Sequence, residues 1–115
     1  MQPVQKIRLV FYRSRVGAEP VRDWLRSLPS DQRRAIGLDL SRIQYRWPVG
    51  MPLCRPLGQG LWETRTDLPG GTTARVFFCH HAGEIWALHG IIKKTRATPA
   101  DELKLARKRL KEVIK

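Results

Sequence analysis

Apolar residues recur along the chain with two distinct spacings. Ile7-Arg8-Leu9-Val10-Phe11-Tyr12 is short, β-branched and aromatic, and it predicts a strand. Ser14 to Ala18 makes a turn, after which the spacing changes. Between Glu19 and Leu28, Val21, Trp24, Leu25 and Leu28 stand at i, i+3, i+4 and i+7, the stripe of an amphipathic helix. Pro29 ends that helix, and Ser30 is placed to cap a second. The second carries Ile36, Leu40, Ile43 and Trp47 on one face, with Arg33, Arg34, Asp39, Arg42 and Arg46 largely elsewhere. Two such helices joined by a Pro-Ser turn predict a hairpin whose apolar seam covers another layer.

Between Trp47 and Gly60 the pattern lapses. Pro48, Gly50, Pro52, Pro56, Gly58 and Gly60 sustain neither a helix nor an inner strand, so a loop is expected. A meander of three strands follows: Leu61 to Thr66, Thr73 to His80 and Ile85 to Ile92. Its turns are Asp67-Leu68-Pro69-Gly70-Gly71-Thr72 and Ala82-Gly83-Glu84. Thr98-Pro99-Ala100-Asp101 reads as a helix start, with Thr as cap and Pro at the first position. Leu103, Ala106, Leu110 and Val113 form the stripe of this last helix, and Lys104, Arg107, Lys108, Lys111 and Lys115 make the rest of it basic. The expected fold is α+β: an N-terminal strand, a two-helix hairpin, a three-stranded antiparallel meander and a C-terminal helix, with the helices on one side of an antiparallel sheet.

Composition narrows the function classes. The chain's 115 residues suit one domain spanning 1–115, and 42% hydrophobic residues supply a core, which excludes wholesale disorder. No stretch approaches the roughly 18 apolar residues of a membrane span. The first residues, Met1-Gln2-Pro3-Val4-Gln5-Lys6, lead into no secretory signal, so a cytoplasmic address is expected. Cys54 and Cys79 form neither a disulfide framework nor a CxxC pair and are expected to be buried free thiols. Charge changes the picture most: 22 Lys and Arg against 10 Asp and Glu leave a net +12. That excess attracts polyanions, so nucleic acid, an acidic protein or both are the natural partners, and a membrane surface is not.

Charged residues inside strands are the candidates for chemistry. Glu63 and Arg65 share a strand face at period two, and Arg75 interrupts the apolar run Ala74-Arg75-Val76-Phe77-Phe78. Arg75 either pairs with Glu63 across the hairpin and does nothing more, or belongs to a site. Lys93-Lys94-Thr95-Arg96 places three cations at the end of the same sheet. His80 and His81 are adjacent and point to opposite faces, and His89 is expected to be packed and hydrogen-bonded. Cys79 and His81 are too few for a metal site, and Gly58-Gln59-Gly60 precedes a strand rather than a phosphate-binding helix.

Three blocks then resemble a known family in order and spacing. They are Leu57-Gly58-Gln59-Gly60-Leu61-Trp62-Glu63-Thr64-Arg65, Ala74-Arg75-Val76-Phe77-Phe78 and Leu88-His89-Gly90-Ile91-Ile92-Lys93-Lys94-Thr95-Arg96-Ala97-Thr98-Pro99. They are similar to the phage-derived Gp49-like proteins, HigB-type toxins of type II toxin–antitoxin systems within the RelE superfamily. The resemblance runs from the first strand to the last helix.

It implies a RelE-like fold and a ribosome-dependent endoribonuclease that cleaves translated mRNA with no metal or other cofactor. In such enzymes the ribose 2′-hydroxyl attacks the adjacent phosphate. Preplaced cations would stabilise the phosphorane, and Arg65, Arg75, Lys93 and Lys94 are the candidates, with Arg75 the first choice for the phosphate. Glu63, or Lys93 crowded by like charges, is the expected base. Arg96, Lys104, Arg107, Lys108 and Lys111 are expected to bind RNA. Some relatives in the superfamily place an aromatic or histidine acid/base near the C-terminal end; here no Tyr, His or other aromatic follows His89. The implied partners are the ribosome with its mRNA and a cognate helix-turn-helix antitoxin, through which alone DNA is met. The alternative is a basic RNA-, DNA- or ribosome-binding protein without catalysis, or a phage-derived protein that uses its basic face only for protein contacts.

Overall fold

The structure is a computed structural model and describes residues 6–93 and 98–115. In chain order it contains β1 (Leu9–Phe11), α1 (Pro20–Ser27), α2 (Ser30–Arg46), β2 (Cys54–Gly58), β3 (Leu61–Asp67), β4 (Thr73–His81), β5 (Glu84–Lys93) and α3 (Ala100–Val113). The strands form one sheet in the order β1-β5-β4-β3-β2. Strands β2 to β5 are successive antiparallel neighbours, whereas β1 runs parallel to β5, with Leu9 opposite Ile85 and Phe11 opposite Ala87. A parallel neighbour needs a long return path, and the chain from α1 to β4 provides it. The result is a mixed α+β fold of five strands and three helices.

The expected sheet is corrected in three respects. It is mixed rather than antiparallel, because of β1. The meander has four strands rather than three, because Cys54–Gly58 pairs with β3, Cys54 opposite Thr64 and Pro56 opposite Trp62. Proline donates nothing to a ladder, which bars it from an inner strand but not from this edge. The helices also lie on both faces rather than one. Val21 of α1 and Ile36, Leu40 and Ile43 of α2 pack with Ala74, Val76, Phe78, Ile85 and Ala87. Ala106 and Leu110 of α3 pack on the other side with Leu61, Phe77, Cys79 and Leu88. Residues Ala74 to Cys79 are all buried, and a strand apolar on both sides needs a layer on each.

The helices occupy the predicted segments, but their caps differ. Pro29 and Pro99 take the cap positions, and neither Ser30 nor Thr98 caps with its side chain. Helix α2 is tied to β3 instead through Asp39, which accepts from the Thr66 hydroxyl at 2.7 Å and from Arg42 at 2.7 Å. The β4–β5 hairpin turns at Ala82 and Gly83, with φ of +52° and +76°, as a tight two-residue turn requires.

One irregularity decides what β5 presents. Phe78 pairs with Ala87 but Phe77 pairs with His89, so Leu88 is an extra residue. Side chains alternate along a strand, so this bulge moves His89 from the α1 side to the α3 side and brings Gly90 beneath α1. There the Trp24 ring lies where a side chain would begin: a Cβ on residue 90 would come within 2.2 Å of Trp24 Cζ3.

Both cysteines are free and buried, as expected. Burial pushes the thiol of each up to about 11 from an ordinary 9.0. Because only the thiolate reacts readily, neither should be alkylated by iodoacetamide at pH 8 until the protein is unfolded, when both should be. Mass spectrometry counts the adducts. The same shift makes stability fall as pH rises from about 9 to 11, because the unfolded chain releases these protons first.

Candidate active site

The face of the sheet beneath α3 carries the strand charges in rows. Glu63 lies opposite Phe77, and Phe77 opposite His89; the next row is Arg65, Arg75 and Ile91; the next is Asp67, Thr73 and Lys93. Period-two alternation sets all three rows on the same side. Arg65 and Arg75 are thus directly opposed like charges, an arrangement that costs stability unless one is neutralised.

Glu63 provides the neutralisation. Its Oε1 lies 3.6 Å from Arg75 Nη1, and the two side chains are 3% and 5% exposed. Arg75 Nη1 also donates to Thr98 Oγ1 at 2.8 Å. The Thr98 hydroxyl, read from sequence as a helix cap, is therefore spent on a charge 23 positions earlier. A buried guanidinium is a stronger claimant for a hydroxyl than an exposed helix terminus. The cross-hairpin ion pair is real, and it sits inside the protein. Arg75, the first choice for contact with phosphate, is covered by its neighbours.

The other expected site residues separate by depth. Arg65 is exposed and Lys93 half-buried, flanking the buried pair along the sheet. Lys94 and Arg96 lie outside the described residues. On α3, Lys104, Lys108 and Lys111 are exposed at i, i+4 and i+7, one outward stripe. Arg107 turns inward instead, donating to the carbonyls of Leu57 at 2.8 Å and Gly58 at 3.2 Å. It anchors α3 to the β2–β3 turn.

A second polar cluster went unread in the sequence. His89 Nε2 meets the Glu102 carboxylate, and Arg109 Nη1 donates to the Leu88 carbonyl at 2.8 Å while approaching His89 Nδ1 at 3.4 Å. Arginine only donates, so Nδ1 accepts and Nε2 bears the proton shared with Glu102. His89 also stacks on Phe77 with centroids 6.0 Å apart. It is packed and hydrogen-bonded, as its strand position predicted. Beyond it, Arg109 stands 5.1 Å over the Tyr12 ring, and the Tyr12 hydroxyl bonds the Glu112 carboxylate. That bond to Glu112 raises the Tyr12 pKa, while burial lowers that of Arg109. Glu102, Arg109 and Glu112 are spaced i, i+7 and i+10 along the inner edge of α3, and that spacing was the available signal.

Among the described residues no group of three or more His, Cys, Asp or Glu stands close enough to hold a metal ion. No helix among them is long and apolar enough to cross a membrane.

These features define a class: a small, strongly basic α+β protein whose sheet carries an exposed and a half-buried cation around a buried ion pair. The chain matches the family model of phage-derived Gp49-like proteins (DUF891) over residues 23–111, and it belongs to that family. The family is associated with toxin–antitoxin systems, and its toxins are generally RNases. Comparison with curated proteins yields no significant match.

Proposed function

We propose that this chain is the HigB-type toxin of a type II toxin–antitoxin system, a RelE-superfamily domain spanning 1–115 that cuts translated mRNA on the ribosome in the cytoplasm. The observation that carries this reading is the cationic sheet face: exposed Arg65 and half-buried Lys93 on either side of the buried Glu63–Arg75 pair.

The reaction needs no metal. The ribose 2′-oxygen bonds to the adjacent phosphorus, the bond to the 5′-oxygen breaks and that oxygen takes a proton from water, and the products are a 2′,3′-cyclic phosphate and a free 5′-hydroxyl. Charge accumulates on the phosphorane oxygens, where Arg65, Lys93 and Lys94 stabilise it. Burial withdraws Glu63 from service as the base and makes it the counter-ion of Arg75, so Lys93 takes the 2′-proton. Arg75 acts through position: it donates to Thr98, just ahead of α3. Holding the message in register on the ribosome supplies much of the remaining acceleration, up to about 7–11 kcal/mol in well-oriented systems. The cognate helix-turn-helix antitoxin neutralises the toxin and alone contacts DNA.

Mapping mRNA 5′ ends after induction tests this reading. New 5′-hydroxyl ends within translated frames are expected, and their absence refutes the nuclease.

The outward stripe of Lys104, Lys108 and Lys111 favours one second reading, a ribosome or RNA binder without catalysis. Each phosphate contact on a single strand adds about 0.7 to the slope of log K against log salt, so replacing all three lysines by Ala should flatten it by about 2. Filter binding of a labelled RNA over a salt series checks the value. Tight, salt-sensitive binding without new ends would favour the binder.

A further inference from the structure

On β2, Cys54 packs with the α2 side of the sheet and Leu57 with the α3 side, so alternation turns Arg55 toward α3. Arg55 lies opposite Glu63, which stands two residues before Arg65 on the same face of β3. Arg55 and Arg65 are therefore diagonal neighbours, with strand positions about 7–8 Å apart. Both are exposed, and neither forms an ion pair among the described residues. Glu63, the carboxylate nearest to Arg55 in register, is 3% exposed and committed to Arg75.

Helix α3 leaves this strip open and keeps two of its carboxylates away from it. Glu102 meets His89 and Glu112 meets Tyr12, toward β5 and β1, whereas Arg107 reaches the carbonyls of the β2–β3 turn. Asp67 is the exposed carboxylate on this face of β3, and it lies one row beyond Arg65, on the side away from Arg55. We propose that Arg55 and Arg65 form a phosphate track for single-stranded RNA. Arg55 holds the backbone phosphate next to the one at Arg65, so the message crosses the β2–β3 edge. The proposal deepens the nuclease reading, on which it rests for the contact of Arg65 with the scissile phosphate.

An acidic protein is the less suitable occupant. Protein interfaces centre on apolar or aromatic anchors. The large apolar side chains exposed among the described residues are Val16, Leu38, Tyr45, Met51 and Ile114, and none of them belongs to β2 or β3. What the strip does present is guanidinium, a planar fork of donors that matches phosphate oxygens and keeps its charge at any working pH.

The test uses the full chain and a labelled single-stranded RNA whose 2′-hydroxyls are methylated, so that it binds without being cut. Arg55→Ala should weaken binding about tenfold, the typical effect of losing one hydrogen bond to a charged group. It should also lower the slope of log K against log salt by about 0.7. Arg55→Lys should restore the slope and most of the affinity. Arg34→Ala, which removes an exposed charge from α2 on the opposite face of the sheet, should change neither. A photocrosslinker on the Arg55→Cys variant should capture the RNA, because Cys54 and Cys79 are buried and stay unlabelled. The same reagent on Arg34→Cys should not. Failure of the wild type to bind, equal losses from Arg55→Ala and Arg34→Ala, or no crosslink from Arg55→Cys would each overturn the proposal. So would displacement of the RNA by poly-glutamate at equal charge concentration, which would assign the strip to an acidic protein. If the wild type makes no new mRNA ends but the Arg55 results hold, the nuclease fails and the track stands as a binding site. If ends appear while Arg55→Ala binds like the wild type, the track fails and the nuclease stands.

Discussion

Arg75→Met is expected to cost about 3–5 kcal/mol of stability, the toll of leaving one buried charge without its partner. Glu63→Gln should cost a similar amount, because the guanidinium then loses its ion pair with Glu63 at a site 4% exposed. The double variant Glu63→Leu/Arg75→Met should recover most of the loss, since a well-packed apolar pair often matches a buried ion pair. For a chain of this size 1 kcal/mol moves the thermal midpoint by about 4 °C. Circular dichroism should therefore show each single variant melting more than about 10 °C early and the double near the wild type. Additive losses would mean that the two groups are not coupled.

The double variant also separates fold from function. It should be folded yet cut mRNA poorly, because Thr98 loses its bond to the Arg75 guanidinium. Full cleavage would confine the pair to the core.

The second large effect lies on the opposite face. Gly90→Val should destabilise by about 1–3 kcal/mol or more, because the Trp24 ring occupies the space of the new Cβ. Trp24 Cε3 would be 2.4 Å from that atom, and a fused ring flanked by α1 has little freedom to retreat. In a Trp24→Leu background the same exchange should cost far less. A double-mutant cycle by urea unfolding gives the coupling, and a coupling near zero would mean that the ring swings clear.

Much of the fold was legible because it depends on spacing. The stripes Val21-Trp24-Leu25-Leu28, Ile36-Leu40-Ile43 and Leu103-Ala106-Leu110 each face the core. The strand pattern from Leu61 to Ile92 predicted the hairpins. What spacing does not encode is which face a helix covers, and α3 went to the side opposite α1 and α2. The clue was the unbroken apolar run around Val76 to Cys79, which demands cover on both sides. Strand β2 was hidden by Pro56, a residue that forbids inner strands and tolerates edges.

The candidate site was legible in its charges but not in their depth. Glu63, Arg65 and Arg75 were identifiable as strand residues with charge, and their shared face follows from alternation. That Arg75 turns inward to Glu63 and Thr98 while Arg65 stays in solvent depends on α3 and its flank closing over one end of the row. His89 reached that face only through the Leu88 bulge, a one-residue irregularity that composition does not announce.

The most direct test of the nuclease is a translating extract supplied with wild-type chain or with Arg65→Ala/Lys93→Ala. Wild-type chain should generate 5′-hydroxyl ends on ribosome-bound message, and the double variant should generate them at least about 100-fold more slowly, the usual penalty for losing transition-state donors. Equal rates from a folded double variant would contradict the account.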